Sequence, residues 1–312
     1  MFSARTFCGV VALAVVWVAT AALATGVGAG AVGQEKPAIS ADELVTRAVD
    51  VQLKDPGGAH HFMYRLHRLS AERDETREVV ETNDGSLTRV LTIGGKPLSE
   101  DQQKAEAARL DRYVSEPGLW QQRRKKQKDD EDRSNRLLAA LPKAFLYTYD
   151  GADPGPNGEE LTRLSFKPNP GYVAPSRDLR VFEGMEGKMW VDPAANRLVR
   201  MQAKLIRDVD FGWGILGKLY AGGSFEIQQR DIGDGRWEVV HTKLNFDGKE
   251  LMLKSLHIKE DETLSDFHPV PEKLSLAEGI HMLEQYNPGQ DSAVAERNAS
   301  RQVPGGGTPP RH

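Results

Sequence analysis

The stretch MWVDPAANRLVRMQ, residues 189–202, sets the reading of the whole chain. Asp192 and Pro193 start a turn, and Asn196 suits a left-handed turn position. On both sides apolar residues recur at every second place, the period of a half-buried strand. After the turn Val199, Met201, Ala203, Leu205 and Val209 fall on one face, with Arg200, Gln202, Lys204 and Asp208 on the other. Two such strands around a tight turn make a hairpin, and hairpins build antiparallel sheets.

The period of two continues in both directions. Downstream, GSFEIQQRDI (223–232), RWEVVHTKLNFDG (236–248) and KELMLKSLHIKEDETLSDF (249–267) read as strands, parted by turns at Gly233-Asp234-Gly235 and at Asp247-Gly248. Upstream, HFMYRLHRLSAE (61–72) and TREVVETNDGSLTRVLTIGG (76–95) form a meander around the Asn83-Asp84-Gly85 turn, and AFLYTYDG (144–151) and ELTRLSFKP (160–168) form a further pair. Sequential strands with tight turns exclude a βαβ parallel sheet.

Two helical regions interrupt this pattern. Residues 41–54 place Leu44, Val45, Ala48 and Val51 at helical spacing, with Ser40 as N-cap and Glu43 as its reciprocal partner. Residues 99–141 form a charged helical insertion: Ser99 and Gln102 cap the first helix, Pro117-Gly118 ends it, and a second helix follows. In the second, Lys125 faces Asp129 and Lys126 faces Asp130 one turn on, so the basic run Arg123 to Lys126 is locally neutralised and makes a poor phosphate or headgroup patch.

The first 33 residues have a different character. Arg5 is their only charge, residues 10–24 (VVALAVVWVATAALA) form an apolar run, and small residues follow, which predicts a cleaved secretory signal with the cut between Ala29 and Gly33. The only cysteine, Cys8, precedes the apolar run, so it is not the acylated cysteine of a lipoprotein. The expected location is the periplasm or outside the cell. A thiol-free mature chain excludes disulfides, thiolate metal sites and cysteine nucleophiles. The 312 residues are 39% apolar and 28% charged with a formal net charge of −4, an ordinary globular balance that suggests no nucleic-acid partner. Residues 288–312 lack apolar periodicity and read as a disordered tail, which leaves residues 34–287 as one domain.

DFGWGILGKL, residues 210–219, contains both a DFG tripeptide and a formal G-x-G-x-x-G. A nucleotide fingerprint needs a helix N-terminus after its glycines, and here another strand follows, so nucleotide binding is excluded. The apolar Phe211, Trp213, Ile215 and Leu216 instead suggest either a β-connection folded onto the sheet or a mobile flap at the mouth of a hydrophobic cavity. His60, His61 and His67 lack metal-ligand spacing, and no nucleophile motif occurs, so neither metal, cofactor nor catalysis is expected.

The hairpin of residues 189–202, followed by its amphipathic strand, resembles the W-[VI]-D-P turn of the periplasmic LolA/LolB-like proteins. The resemblance is best over residues 186–267 and architectural only over 40–98. It implies an α+β fold, a curved antiparallel half-open β-barrel with an N-terminal helix and, in this chain, the charged helical insertion. It also implies a non-enzymatic cup for a lipid, acyl chain or lipoprotein, with a possible place in outer-membrane lipoprotein sorting. Under that reading the cavity is lined by Val199, Met201, Leu205, Phe225, Ile227, Leu244 and Phe246, with Phe211, Trp213, Ile215 and Leu216 at its mouth. The alternative is an envelope interaction or stress-signalling module that docks through the helical insertion.

Overall fold

The computed structural model describes residues 39–54, 61–210, 217–233, 235–250 and 254–285. The predicted signal segment, the tail and the glycine-rich link with Phe211, Trp213, Ile215 and Leu216 lie outside them. The elements run α1 (Ala41–Lys54), β1 (His61–Ser70), β2 (Asp74–Thr82), β3 (Gly85–Ile93), β4 (Lys96–Pro97), α2 (Glu100–Ser115), α3 (Pro117–Ala144), β5 (Phe145–Pro154) and β6 (Glu160–Pro168). A 3-10 helix (Asp178–Gly184) leads to β7 (Met185–Asp192), β8 (Arg197–Leu205), β9 (Val209–Asp210), β10 (Gly217–Leu219), β11 (Ser224–Asp231), β12 (Trp237–Glu250), β13 (Lys254–Val270) and α4 (Leu276–Gln285).

The strands form one antiparallel sheet in the order β4-β3-β2-β1-β13-β12-β11-β8-β7-β6-β5, with β10 added against β12 and β9. It is not closed into a barrel. The last strand, β13, lies between β12 and β1, so the N-terminal meander joins the rest of the sheet through the C-terminal strand.

Local chemistry explains the elements. The Ser40 hydroxyl accepts from the Glu43 amide at 3.1 Å, and Ser99 and Gln102 form a full capping box. Pro117 occupies the first turn of α3 rather than only ending α2, a place where its missing N–H costs nothing. In the β7–β8 turn the Asp192 carboxylate accepts from the amides of Ala194 and Ala195 at 2.8 and 2.9 Å, and Asn196 adopts φ +50°, as the turn reading required.

One reading changes. Asp247-Gly248 is not a turn: β12 runs straight through it, pairing Gly248 with Leu256 on one side and Leu219 on the other. A Cβ at Gly248 would lie 2.1 Å from the Lys218 carbonyl oxygen, so the glycine serves close strand approach, not reversal.

The insertion caps an edge of the sheet. Beyond the two residues of β4, the outward backbone of β3 meets side chains of α2 and α3. Glu106 accepts from the Val90 amide at 2.8 Å, Arg109 donates to Thr88 O at 2.5 Å, and Gln127 both accepts from Ser86 N and donates to Ser86 O. An exposed strand edge is a template for aggregation, and these side chains occupy it.

The same helix reports the curvature of the sheet. From Gln127, bound to β3, to the start of β5 is about 27 Å of helix. Nine inter-strand steps of a flat sheet would separate β3 from β5 by about 43 Å. Only a curved sheet brings the two together. The buried residues of α3 lie near its ends, Trp120 with Val80 and Leu87 of the meander, and Leu137, Leu141 and Ala144 with the layer of Leu164 and Met201, and the stretch between them is polar.

Candidate functional site

The register arranges side chains in rows that cross the sheet. Tyr147, Phe166, Gly187, Ala203, Phe225 and Leu244 pair in sequence across β5, β6, β7, β8, β11 and β12; Leu164, Met189, Met201 and Ile227 form the parallel row beside them. These rows face α1, the 3-10 helix and the end of α3. Together they make one apolar layer, to which α1 contributes Ala41, Leu44, Val45, Ala48 and Val49.

Six of the seven described cavity candidates, Met201, Leu205, Phe225, Ile227, Leu244 and Phe246, meet in this layer. They are buried against helix, not lining an open cup: Met201 is 2% exposed and Phe246 1%. Val199 stands apart. Trp190 pairs with Arg200 but Val191 pairs with Leu198, so Val199 is the extra residue of a β-bulge. The bulge sends it to a separate cluster with Leu161, Trp190 and Trp237. Simple alternation from Val199 to Leu205 is therefore corrected at its first member.

The opposite face carries a trough of about 1380 Å³ that sequence reading did not find. Its central row, Thr148, Ser165, Lys188, Gln202, Glu226, Lys243 and Asp261, crosses seven strands in register. The signal was present in the polar halves of the alternating strands, but which polar residues become neighbours is decided by long-range register. Lys188 pairs with Asp150 at 2.7 Å, Lys204 with Glu186 at 3.3 Å and Lys243 with Asp261 at 3.2 Å.

Two carboxylates in the trough have lowered pKa values. Burial pushes Glu226 up, but hydrogen bonds from Gln202 and Gln228 and the charge of Arg200 more than offset it. At Asp261 burial acts in the same sense and is outweighed by His241 and Lys243. A depressed carboxyl stabilises the fold above its ordinary pKa, and that stability is lost as pH falls through the folded value. The stability difference between wild type and Glu226→Gln, measured by urea unfolding, should therefore be full above the ordinary carboxyl range, at about pH 6, and shrink as the pH falls below that range towards the lowered folded value. A difference that persists undiminished in acid would show that the carboxylate's charge is not what matters.

Towards β13 the inner rows turn from apolar to ionic. The row of Met201 and Ile227 continues through Thr242 and Glu262 to Arg68 and Glu75. Arg68 is paired with Glu262 and Arg77 with Glu75, all buried. Nearby Arg236 pairs with Glu81 at 2.9 Å and lies 4.9 Å over the Phe62 ring, while Glu81 accepts from the Phe62 amide. Breaking one partner of such a pair strands a buried charge; Arg68–Glu262 thereby ties β1 to β13, and Arg236–Glu81 ties β2 to the start of β12.

Histidines act as cross-strand partners. His67 contacts Asp74 at 3.0 Å and His61 contacts Asn83 at 3.1 Å. Among the described residues no group of three or more His, Cys, Asp or Glu is placed to hold a metal ion. No described helix is long and apolar enough to cross a membrane. The large apolar side chains of the insertion, Leu110, Trp120, Leu137 and Leu141, are buried, and Val114 is its one large hydrophobic residue among those markedly exposed.

These features define an α+β protein built on a curved, open antiparallel sheet: α1 and the end of α3 cover the apolar face of β5 to β12, a polar trough lies on the opposite face there, and α2, α4 and the start of α3 cover Val80 and Leu87 of the N-terminal meander. No protein-family model matches the chain, and no curated protein matches it. Among solved structures it is similar to a DUF1329 family protein from Desulfovibrio piger, at 12% identity over 73% of this chain and 91% of that one, with a TM-score of 0.25.

Proposed function

We propose that this chain is a non-enzymatic protein of the cell envelope that holds an acyl chain, free or attached to a polypeptide, on its open sheet in the seat that α1 otherwise fills, in the manner of the LolA/LolB-like half-barrels it resembles. The observation that carries this is the apolar layer itself. Six residues from three strands, β8, β11 and β12, share one buried apolar cluster with the inner face of the 14-residue helix α1, and α1 occupies the seat that an apolar rod would take.

Magnitudes support an exchange of helix for ligand. Helices of this length are marginal on their own, so α1 is held mainly by what it buries. Its three larger anchors, Leu44, Val45 and Val49, are each worth about 1.5–3 kcal/mol. An acyl chain gains about 0.8 kcal/mol per buried methylene, so roughly ten methylenes match the loss of α1. Shorter chains should not bind and longer ones should.

Calorimetry with fatty acids of increasing length tests this. The expected result is saturable binding that appears near twelve carbons and strengthens with length, and that tightens in Val49→Ala, where α1 is easier to displace. Absence of binding at every length would refute the reading, and affinity indifferent to Val49→Ala would move the ligand away from α1.

A further inference from the structure

Two exposed apolar side chains flank the C-terminal end of the 3-10 helix (Asp178–Gly184). Val173 is 84% exposed, more than any other large hydrophobic residue among those described, and Ile206 is 46% exposed. Glu183 and Gly184 bring them together. The Ala174 amide donates to Glu183 Oε1 at 3.4 Å, the Ile206 amide to Gly184 O at 2.9 Å, and the Arg207 guanidinium to Glu183 O. The loop carrying Val173 is held on both sides. Asn169 accepts the Gly171 amide on its side chain at 2.9 Å and the Tyr172 amide on its carbonyl at 3.0 Å. Tyr172 and Ala174 pack against the apolar layer, so Val173 between them stands away from it.

The same end of the molecule is basic. Residues three apart eclipse in a 3-10 helix, so Arg177, Arg180 and Glu183 share a side, while Leu179, Val181 and Phe182 turn into the apolar layer. Among the described residues neither Arg177 nor Arg180 forms an ion pair, and Arg207 donates to a carbonyl, not a carboxylate. The two acids of the segment are engaged locally, Glu183 by the Ala174 amide and Asp178 by Ser176 Oγ and, at 3.8 Å, by Arg136. Projecting apolar side chains beside uncompensated guanidiniums match an interface where hydrocarbon lies just beneath phosphate.

We propose that this end of the molecule docks on an anionic lipid membrane, with Val173 and Ile206 entering the headgroup layer and Arg177, Arg180 and Arg207 paired with lipid phosphates. An arginine near such a surface contributes about fivefold in affinity. The proposal stands apart from the acyl reading, because vesicle binding and fatty-acid binding are separate measurements. The protein secreted by a bacterial host, with its signal removed, is mixed with phosphatidylglycerol or phosphatidylcholine vesicles and recovered by flotation. Val114→Asp, at a 53% exposed position on α2, is the control for adding a charge to an exposed apolar site elsewhere.

The expected result is salt-sensitive binding to phosphatidylglycerol vesicles that is much weaker on phosphatidylcholine. Val173→Asp combined with Ile206→Asp should reduce it about tenfold or more, and so should Arg177→Gln combined with Arg180→Gln, with circular dichroism unchanged. Val114→Asp should leave it as in wild type. Absence of binding to phosphatidylglycerol overturns the proposal, as does equal binding to both vesicles. Binding that ignores the Val173 and Ile206 substitutions, or is lost equally in Val114→Asp, overturns it too.

Discussion

Gly187→Val is expected to abolish cooperative folding, and Gly187→Ala to cost at least about 3 kcal/mol in urea unfolding. Gly187 lies in β7 on the inner face, between Phe166 and Ala203. A Cβ there would sit 1.9 Å from the Gln202 carbonyl oxygen and 2.8 Å from the Ala203 Cα. Both are backbone atoms of β8, held by their own ladder, so no side-chain rotation relieves the clash. The strands would have to part at the centre of the apolar layer. An alanine variant as stable as wild type would mean that β7 and β8 are not this close.

Met201→Asp should have a comparable effect by a different route. Met201 is 2% exposed, in the row between Met189 and Ile227, and its row neighbours belong to the same apolar cluster. An isolated carboxylate there loses its hydration and gains no partner, a penalty of several kcal/mol against a fold whose whole stability is about 5–15 kcal/mol. Lys204→Gln, three residues on and on the polar face, is the control. Its side chain is 62% exposed and its pair with Glu186 is a surface one, so the change should stay within about 1 kcal/mol. Similar losses in the two variants would contradict the assignment of faces.

The comparison of these two positions shows what alternation can and cannot reveal. It placed Met201, Leu205, Phe225, Ile227, Leu244 and Phe246 on apolar faces, and the turn chemistry of Asp192 and Asn196 was readable because it is local. Val199 escaped because a bulge adds one residue to one strand, and nothing in a period of two announces it. Gly248 was misread because glycine marks both a reversal and a close approach, and only the neighbouring Lys218 carbonyl distinguishes them.

What depends on distant partners was not legible. The pairing of β1 with β13 joins residues some two hundred positions apart, and with it come the buried Arg68–Glu262 and Arg236–Glu81 pairs. In sequence these were ordinary charges in polar-looking strands. The polar trough is likewise a product of register, since Lys188, Gln202, Glu226 and Lys243 become neighbours only when β7, β8, β11 and β12 are aligned. The insertion read as a solvated charged helix pair, and its exposed middle is that. Its second role, capping β3 through Glu106, Arg109 and Gln127, needed the edge strand to be in place.

The claim that α1 yields its seat to an acyl chain is tested most directly by hydrogen–deuterium exchange with and without saturating hexadecanoate. The account predicts that amides of Ala41–Lys54 exchange faster in the presence of ligand while those of β8 and β11 are unchanged or slower. Unchanged or increased protection of α1 at saturation would contradict it.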